Sequence, residues 1–360
     1  MGARSALVAM GVFGLAASHA MAAQTAPPWA QIGACQTLSM GAVGGPAPTG
    51  DVAVLRYAGS SNYELTYRDT VLLFNAEYTK RVAPARSLGV EEPQLTKATA
   101  IYIGHGHSDH MASVSFVATQ SKAKVYGAKL STDAVLAMGV PQAQVIPVKN
   151  GDVQKYPGFT VEAVLARHAS VFDETGKVNP MFQASTAAWE AMRKATQIDP
   201  QIGWNGQRQM PNGQTMAQGT SDRHVLDEGT MGYLVTFETG YKMYILDSSG
   251  NPTKEQQAMM ARVGHLDVAT VSYQGFFIAQ RQIEQTMPLV ELFKPDVFLP
   301  NHHDETGGFY PDMAGYPLFM AIRDKLPRTQ SIAPMYRTPI CFNTKTKDVF
   351  VGETWAWPAK

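Results

Sequence analysis

Gly104-His105-Gly106-His107-Ser108-Asp109-His110 places three imidazoles and a carboxylate within one short stretch. It directly follows Ala98-Thr99-Ala100-Ile101-Tyr102-Ile103, an apolar run rich in β-branched and aromatic residues that reads as a buried strand. In extended backbone His105 and His107 project to the same side, being two positions apart. Gly104 and Gly106 let the main chain come close to whatever those rings hold. Asp109 and His110 then open a predicted helix running through Met111 to Val117. Only 9 histidines occur in 360 residues, so three of them here set this stretch apart from a polar loop. Crowding four ligand-type side chains at a strand-to-helix junction is costly without a cation, and the pattern points to a metal site.

The string His-x-His-x-Asp-His resembles the signature of the metallo-β-lactamase superfamily, and three later strand ends extend the resemblance. Phe159 to Ala166 is strand-like and runs into Arg167-His168. Tyr241 to Leu246 ends in Asp247-Ser248-Ser249-Gly250, and Val297 to Asn301 leads into His302-His303-Asp304. The resemblance covers roughly residues 50 to 350. It implies two divalent ions, zinc or else manganese or iron. His105, His107 and His168 would hold the first, Asp109, His110 and His302 the second, and Asp247 would bridge them. The implied reaction is hydrolysis by a metal-bound hydroxide, with Asp109 as the catalytic carboxylate that orients the nucleophile and passes a proton to the leaving group.

Leu299-Pro300-Asn301-His302 looks like the Pro-x-His of the ascorbate-6-phosphate-lactonase-like branch. That favours His302 over His303 as ligand, and a lactone or other ester as substrate. Three features depart from the family pattern. Asn75 stands after Val71-Leu72-Leu73-Phe74 where many members have Asp, which bears on how firmly an imidazole is oriented. Asp247 lies in Leu-Asp-Ser-Ser-Gly rather than Gly-Asp-Thr-Gly, and it follows His168 at an unusually long interval. β-Lactam or phosphodiester hydrolysis and a mononuclear iron dioxygenase are the alternative activities.

A net charge of +0 and a pI near 7.1 leave no global field to attract nucleic acid or an acidic membrane. The expected partner is a small-molecule substrate. Residues 1–22 read as a cleaved secretory signal: one Arg, an apolar run too short for a stable membrane anchor, then Ala20-Met21-Ala22. The mature chain is therefore expected in the periplasm or secreted. Cys35 and Cys341 are the only cysteines, and either a disulfide or two buried thiols fits the count.

Strands near 51–57, 62–67 and 70–75 precede the His-rich strand; a second half carries strands at 233–237, 241–246, 268–272 and 297–301, with helices near 253–263 and 279–293. Two mixed halves with ligands at strand ends predict a four-layer αβ/βα sandwich, one domain spanning 23–360. Residues 171–230 interrupt it as an insertion rich in Gln, Trp and Met, read as a substrate-selecting lid or a homo-oligomer interface. His224 at its end and Tyr273 past a strand end are candidate substrate contacts. The segment 76–97, with Tyr78, Arg81 and Arg86, is a candidate rim.

Overall fold

The computed structural model describes residues 30, 33–36, 43–78, 95–168, 229–273, 279–304 and 315–352. The leader read at 1–22 and most of the insertion, with His224, lie outside them, as do Arg81 and Arg86. Strands β1 (Val52–Tyr57), β2 (Tyr63–Tyr67) and β3 (Thr70–Phe74) form an antiparallel meander. β4 (Ala100–Tyr102), β5 (Lys124–Gly127) and β6 (Val145–Pro147) extend it in parallel. A second meander comprises β7 (Val153–Tyr156), β8 (Phe159–Leu165), β9 (Met231–Phe237) and β10 (Lys242–Ile245). It continues in parallel through β11 (Val268–Ser272), β12 (Val297–Asn301) and β13 (Gln330–Ser331). β14 (Pro339–Asn343) and β15 (Val349–Val351) return to the first sheet, where β14 pairs with β1. The result is an eight-stranded and a seven-stranded sheet.

Both faces of the central strands are covered, which is why they read as unbroken apolar runs. Along β3 and β4, Leu72, Phe74, Ala100 and Tyr102 pack between the sheets. Leu73 and Ile101 face the opposite way, joining Val114, Val117 and Val135 from the helices Val114–Ser121 and Lys129–Ala137. On the far side, Ala269, Val271 and Phe298 meet Met259, Val290, Phe293 and Leu318 from three other helices. One of these, Lys254–Val263, starts where the sequence predicts. Thr253 caps it, and Gln256 completes a capping box.

Tyrosines fill much of the space between the sheets, and their hydroxyls fix loops at one end of the sandwich. A buried phenol gains from a hydrogen-bond partner. Tyr233 on β9 donates to the Ile103 carbonyl at 2.6 Å, holding the start of the His-rich loop from the other sheet. Tyr63 on β2 donates to the Pro300 carbonyl at 2.7 Å, one step before Asn301 and His302. The site is therefore braced from both sheets.

A disulfide joins Cys35 to Cys341 on β14. Beside it, the buried Arg56 guanidinium donates to the Ala34 and Gly44 carbonyls, each at 2.8 Å. Together these tie the N-terminal segment to the outer face of the first sheet. The bond closes a separation of 306 residues, for which the chain-entropy model gives about 6 kcal/mol of stabilisation. The Cys35→Ser/Cys341→Ser double variant should unfold at clearly lower denaturant concentration with its metal content unchanged. A midpoint equal to the native one would show that Arg56 alone secures the segment.

Candidate metal centre

Each proposed ligand sits just past the carboxyl end of a strand or at the start of a helix. His105 and His107 follow β4, and Asp109 and His110 lie in the helix Ser108–Met111. His168 follows β8, Asp247 follows β10 and His302 follows β12. The fold brings these seven side chains together in three overlapping groups. They are His105, His107 and His168; His105, His110 and Asp247; and Asp109, His110 and His302. Within each group the ligand atoms lie within 4.8 Å of one another.

Asp247 sits between the groups. Its Oδ1 is 3.2 Å from His105 Nδ1, and its Oδ2 is 3.0 Å from His110 Nδ1. His105 Nε2 approaches His107 Nδ1 at 3.0 Å. Asp109 Oδ2 lies 3.4 Å from His110 Nε2 and 3.9 Å from His302 Nδ1. His105, His110, Asp247 and His302 form a buried floor, while His107, His168 and Asp109 are half-buried at the rim.

The donor set fits divalent cations. Nδ1 of His168 is buried without a hydrogen bond, a costly condition unless something else uses its lone pair. Both ring nitrogens of His110 face carboxylates, Asp247 Oδ2 at 3.0 Å and Asp109 Oδ2 at 3.4 Å. Burial, and next the neighbouring His110, push His105 down to about 3. Burial together with His105 and His107 likewise lowers His168. Both rings are therefore neutral and able to coordinate at pH 7. Burial would raise Asp247, but His105 and His110 outweigh it and hold the carboxylate ionised. Asp109 is held ionised in the same way, against burial, by His110 and His302. Burial would lower His110, yet Asp109 and Asp247 bring it up to about 10. These carboxylates favour a positive charge at His110, a preference that a cation held there satisfies.

Close packing dictates two glycines. A Cβ on Gly104 would overlap the Asp247 carboxylate, and one on Gly250 would meet the Arg167 and His168 carbonyls. Gly250 N also donates to the Arg167 carbonyl at 3.1 Å, which positions the His168 loop.

The pair His302 and His303 separates clearly. His302, at a φ of 59°, belongs with Asp109 and His110, and its N–H donates to the Ser60 carbonyl at 2.6 Å. His303 points the other way and stacks on Tyr57 with centroids 4.8 Å apart. Asp304 then anchors the loop by accepting from Tyr57 and Tyr336 hydroxyls, each at 2.6 Å, and from Ser60 N at 3.1 Å. His302→Ala should weaken binding of one ion at least about 100-fold, the upper end of what losing a supporting group costs. His303→Ala should keep full metal content and lose about 1 kcal/mol of stability with its ring contact. Metal titration and chemical denaturation of the two variants check this.

Other sequence expectations are placed differently. Tyr273 is fully buried on the helix-covered side of the second sheet, in the cluster with Val271 and Leu289. It follows the same face of β11 as Ala269 and Val271, so its ring is not among the clustered ligands. Tyr78 is buried too, its hydroxyl donating to Glu64 Oε1 at 3.1 Å instead of lining a rim. Asn75 touches no imidazole: its amide contacts Asp247 and the Gly104 N–H. A further group, His265, Asp267 and Asp296, lies at the amino ends of β11 and β12. There Lys347 Nζ stands 2.8 Å from Asp267 and His265 Nε2 is 2.9 Å from Asp296, so these carboxylates already have cationic or hydrogen-bonding partners. Ser61, whose hydroxyl donates to the Asp247 carbonyl at 3.4 Å, Asn301, whose amide donates to the Leu246 carbonyl at 2.7 Å, and Asp304 support the site without a local sequence signal beyond being polar in apolar surroundings.

No protein-family model matches the chain. It is 30% identical over 82 residues to a UPF0173 metal-dependent hydrolase of Roseiflexus castenholzii, covering 23% of this chain and 34% of that protein. A protein of the same description from Thermoplasma acidophilum is 29% identical over 90 residues, covering 25% and 39%. The chain thus spans about a third of the length of the curated relatives it matches. Among solved structures, it is similar to Igni18, a metallo hydrolase of Ignicoccus hospitalis. The TM-score is 0.50 at 14% identity, over 81% of this chain and 98% of that one. The architecture is the four-layer αβ/βα sandwich of the metallo-β-lactamase type.

Proposed function

We propose that the chain is an exported, metal-dependent hydrolase acting on a lactone or other ester through two divalent ions. The observation that carries this reading is the set of three interlocking groups of His and Asp side chains, whose ligand atoms lie within 4.8 Å of one another in each group. His105, His107 and His168 would hold one ion, Asp109, His110 and His302 the other, and Asp247 would serve both. Divalent ions in such a centre supply Lewis acidity and make a water acidic enough to attack near neutral pH.

The protein's own groups do the rest. The buried floor keeps bulk water from the ligands, and the neutral rings at 105 and 168 present lone pairs without first shedding a proton. Asp109, ionised and at the rim, accepts a proton from the attacking water and returns it to the leaving alkoxide. Export is supported by the Cys35–Cys341 disulfide, a bond that persists in oxidising compartments. Among the described residues no helix is long and apolar enough to cross a membrane.

A hydrolysis screen of metal-reconstituted protein over lactones, aryl esters, β-lactams and phosphodiesters tests the reading. Turnover of lactones or esters that chelation abolishes and added metal restores is the expected outcome. Preference for another class would reassign the substrate. Iron at one equivalent with no hydrolysis would point to oxygenase chemistry.

A further inference from the structure

Asn75 ends β3 with a φ of 65°, a left-handed conformation that Asn tolerates better than most residues. It is buried, and its backbone N–H and both ends of its side-chain amide are engaged. Its N–H donates to the Tyr102 carbonyl at 2.7 Å. Oδ1 accepts from Gly104 N at 2.9 Å, and Nδ2 donates to the Ser61 carbonyl and to Asp247 Oδ2, both at 3.1 Å. These partners fix the amide's orientation, because a flip would set its oxygen against two other oxygens. They also exclude an ionised carboxylate of the same size, which has nothing to donate and would face Asp247 charge to charge. Gly104 completes the arrangement: its missing Cβ is the space the Asp247 carboxylate occupies.

We propose that Asn75 is a positioning residue that holds Asp247 in its bridging orientation and at the same time sets the loop carrying His105. The role rests on the reading of Asp247 as a ligand to both ions. Asn75 touches neither substrate nor ion; it acts through the carboxylate. The Asn75–Asp247 pair joins β3 of one sheet to the end of β10 in the other, so alignment of the bridge depends on a contact across the sandwich.

Cobalt(II) titration, followed by visible absorption and elemental analysis, tests this in native protein, N75D, N75G, D247N and N75G/D247N. N75G removes the side chain at a backbone angle glycine accepts, and N75D keeps the shape but loses the donor. Both should bind cobalt about 10- to 100-fold more weakly than native protein, with an altered cobalt spectrum reporting changed ligand geometry. In the D247N background N75G should add less than about twofold, since coupled residues fail to add. A native spectrum and affinity in N75D would overturn the proposal. So would an N75G effect equally large with and without the Asp247 carboxylate, which would mark Asn75 as part of the fold only. Should N75G not fold, N75D carries the comparison. Native protein that takes up no cobalt would sink the two-ion reading itself, whereas two cobalt ions bound equally by native and N75D protein would sink only the role of Asn75.

Discussion

Asp109→Asn should lower kcat by about 10²- to 10⁴-fold, the range spanned by losing a positioned acid or base. The amide keeps the size of the side chain but can neither take the proton of the attacking water nor return it. Asp109 is ionised and half-buried at the rim, with its Oδ2 3.4 Å from His110 Nε2. The loss should therefore appear in both metal content and rate. The ion among His105, His107 and His168 should stay, because Asp109 is not in that group. The ion near His110 and His302 should be held more weakly. Steady-state kinetics on the best substrate from the screen, with metal content measured on the same sample, separates these effects. Unchanged kcat at native metal content would remove Asp109 from the chemistry.

Gly104→Ala should be the most damaging of the small-residue substitutions. The added methyl would overlap the Asp247 carboxylate, and neither partner has an easy way to move. Gly104 N is held by Asn75 Oδ1 at 2.9 Å, and its carbonyl accepts from Met231 N at 2.7 Å. Asp247 is buried among His105, His110 and Asn75. Overpacking of this kind costs typically about 1–3 kcal/mol, and displacing the shared carboxylate should cost metal from both positions. Gly33→Ala, at a position with open space around it, serves as the control and should stay within about 0.5 kcal/mol of native. Thermal unfolding with and without added metal checks both variants. A Gly104→Ala protein with native stability and two bound ions would mean that Asp247 is not confined as described.

The elements that were legible in the sequence are those whose cause is local. The His-rich loop concentrates its ligand-type side chains within one strand-to-helix turn, and Asp247 and His302, which join them in space, stand at the ends of apolar runs that the eye finds unaided. The helix after Thr253 carries its own capping box. What stayed hidden depends on long-range contacts. Asp304 meets Tyr57 across a separation of 247 residues, and Asn75 meets Asp247 across 172. Nothing near Asn75 in the chain says that its partner is a carboxylate and not an imidazole. The disulfide was undecidable for the same reason, since count alone cannot bring Cys35 and Cys341 together. Tyr273 is a different case, because strand parity was available. Ala269, Val271 and Tyr273 alternate onto one face of β11, and that face is covered by helices.

Anomalous diffraction from crystals of protein loaded with zinc or manganese tests the two-ion centre most directly. Two peaks are expected in each chain, one among His105, His107 and His168 and one among Asp109, His110 and His302, with Asp247 reaching both. A single peak, or ions bound only elsewhere while these seven side chains remain together, would contradict it.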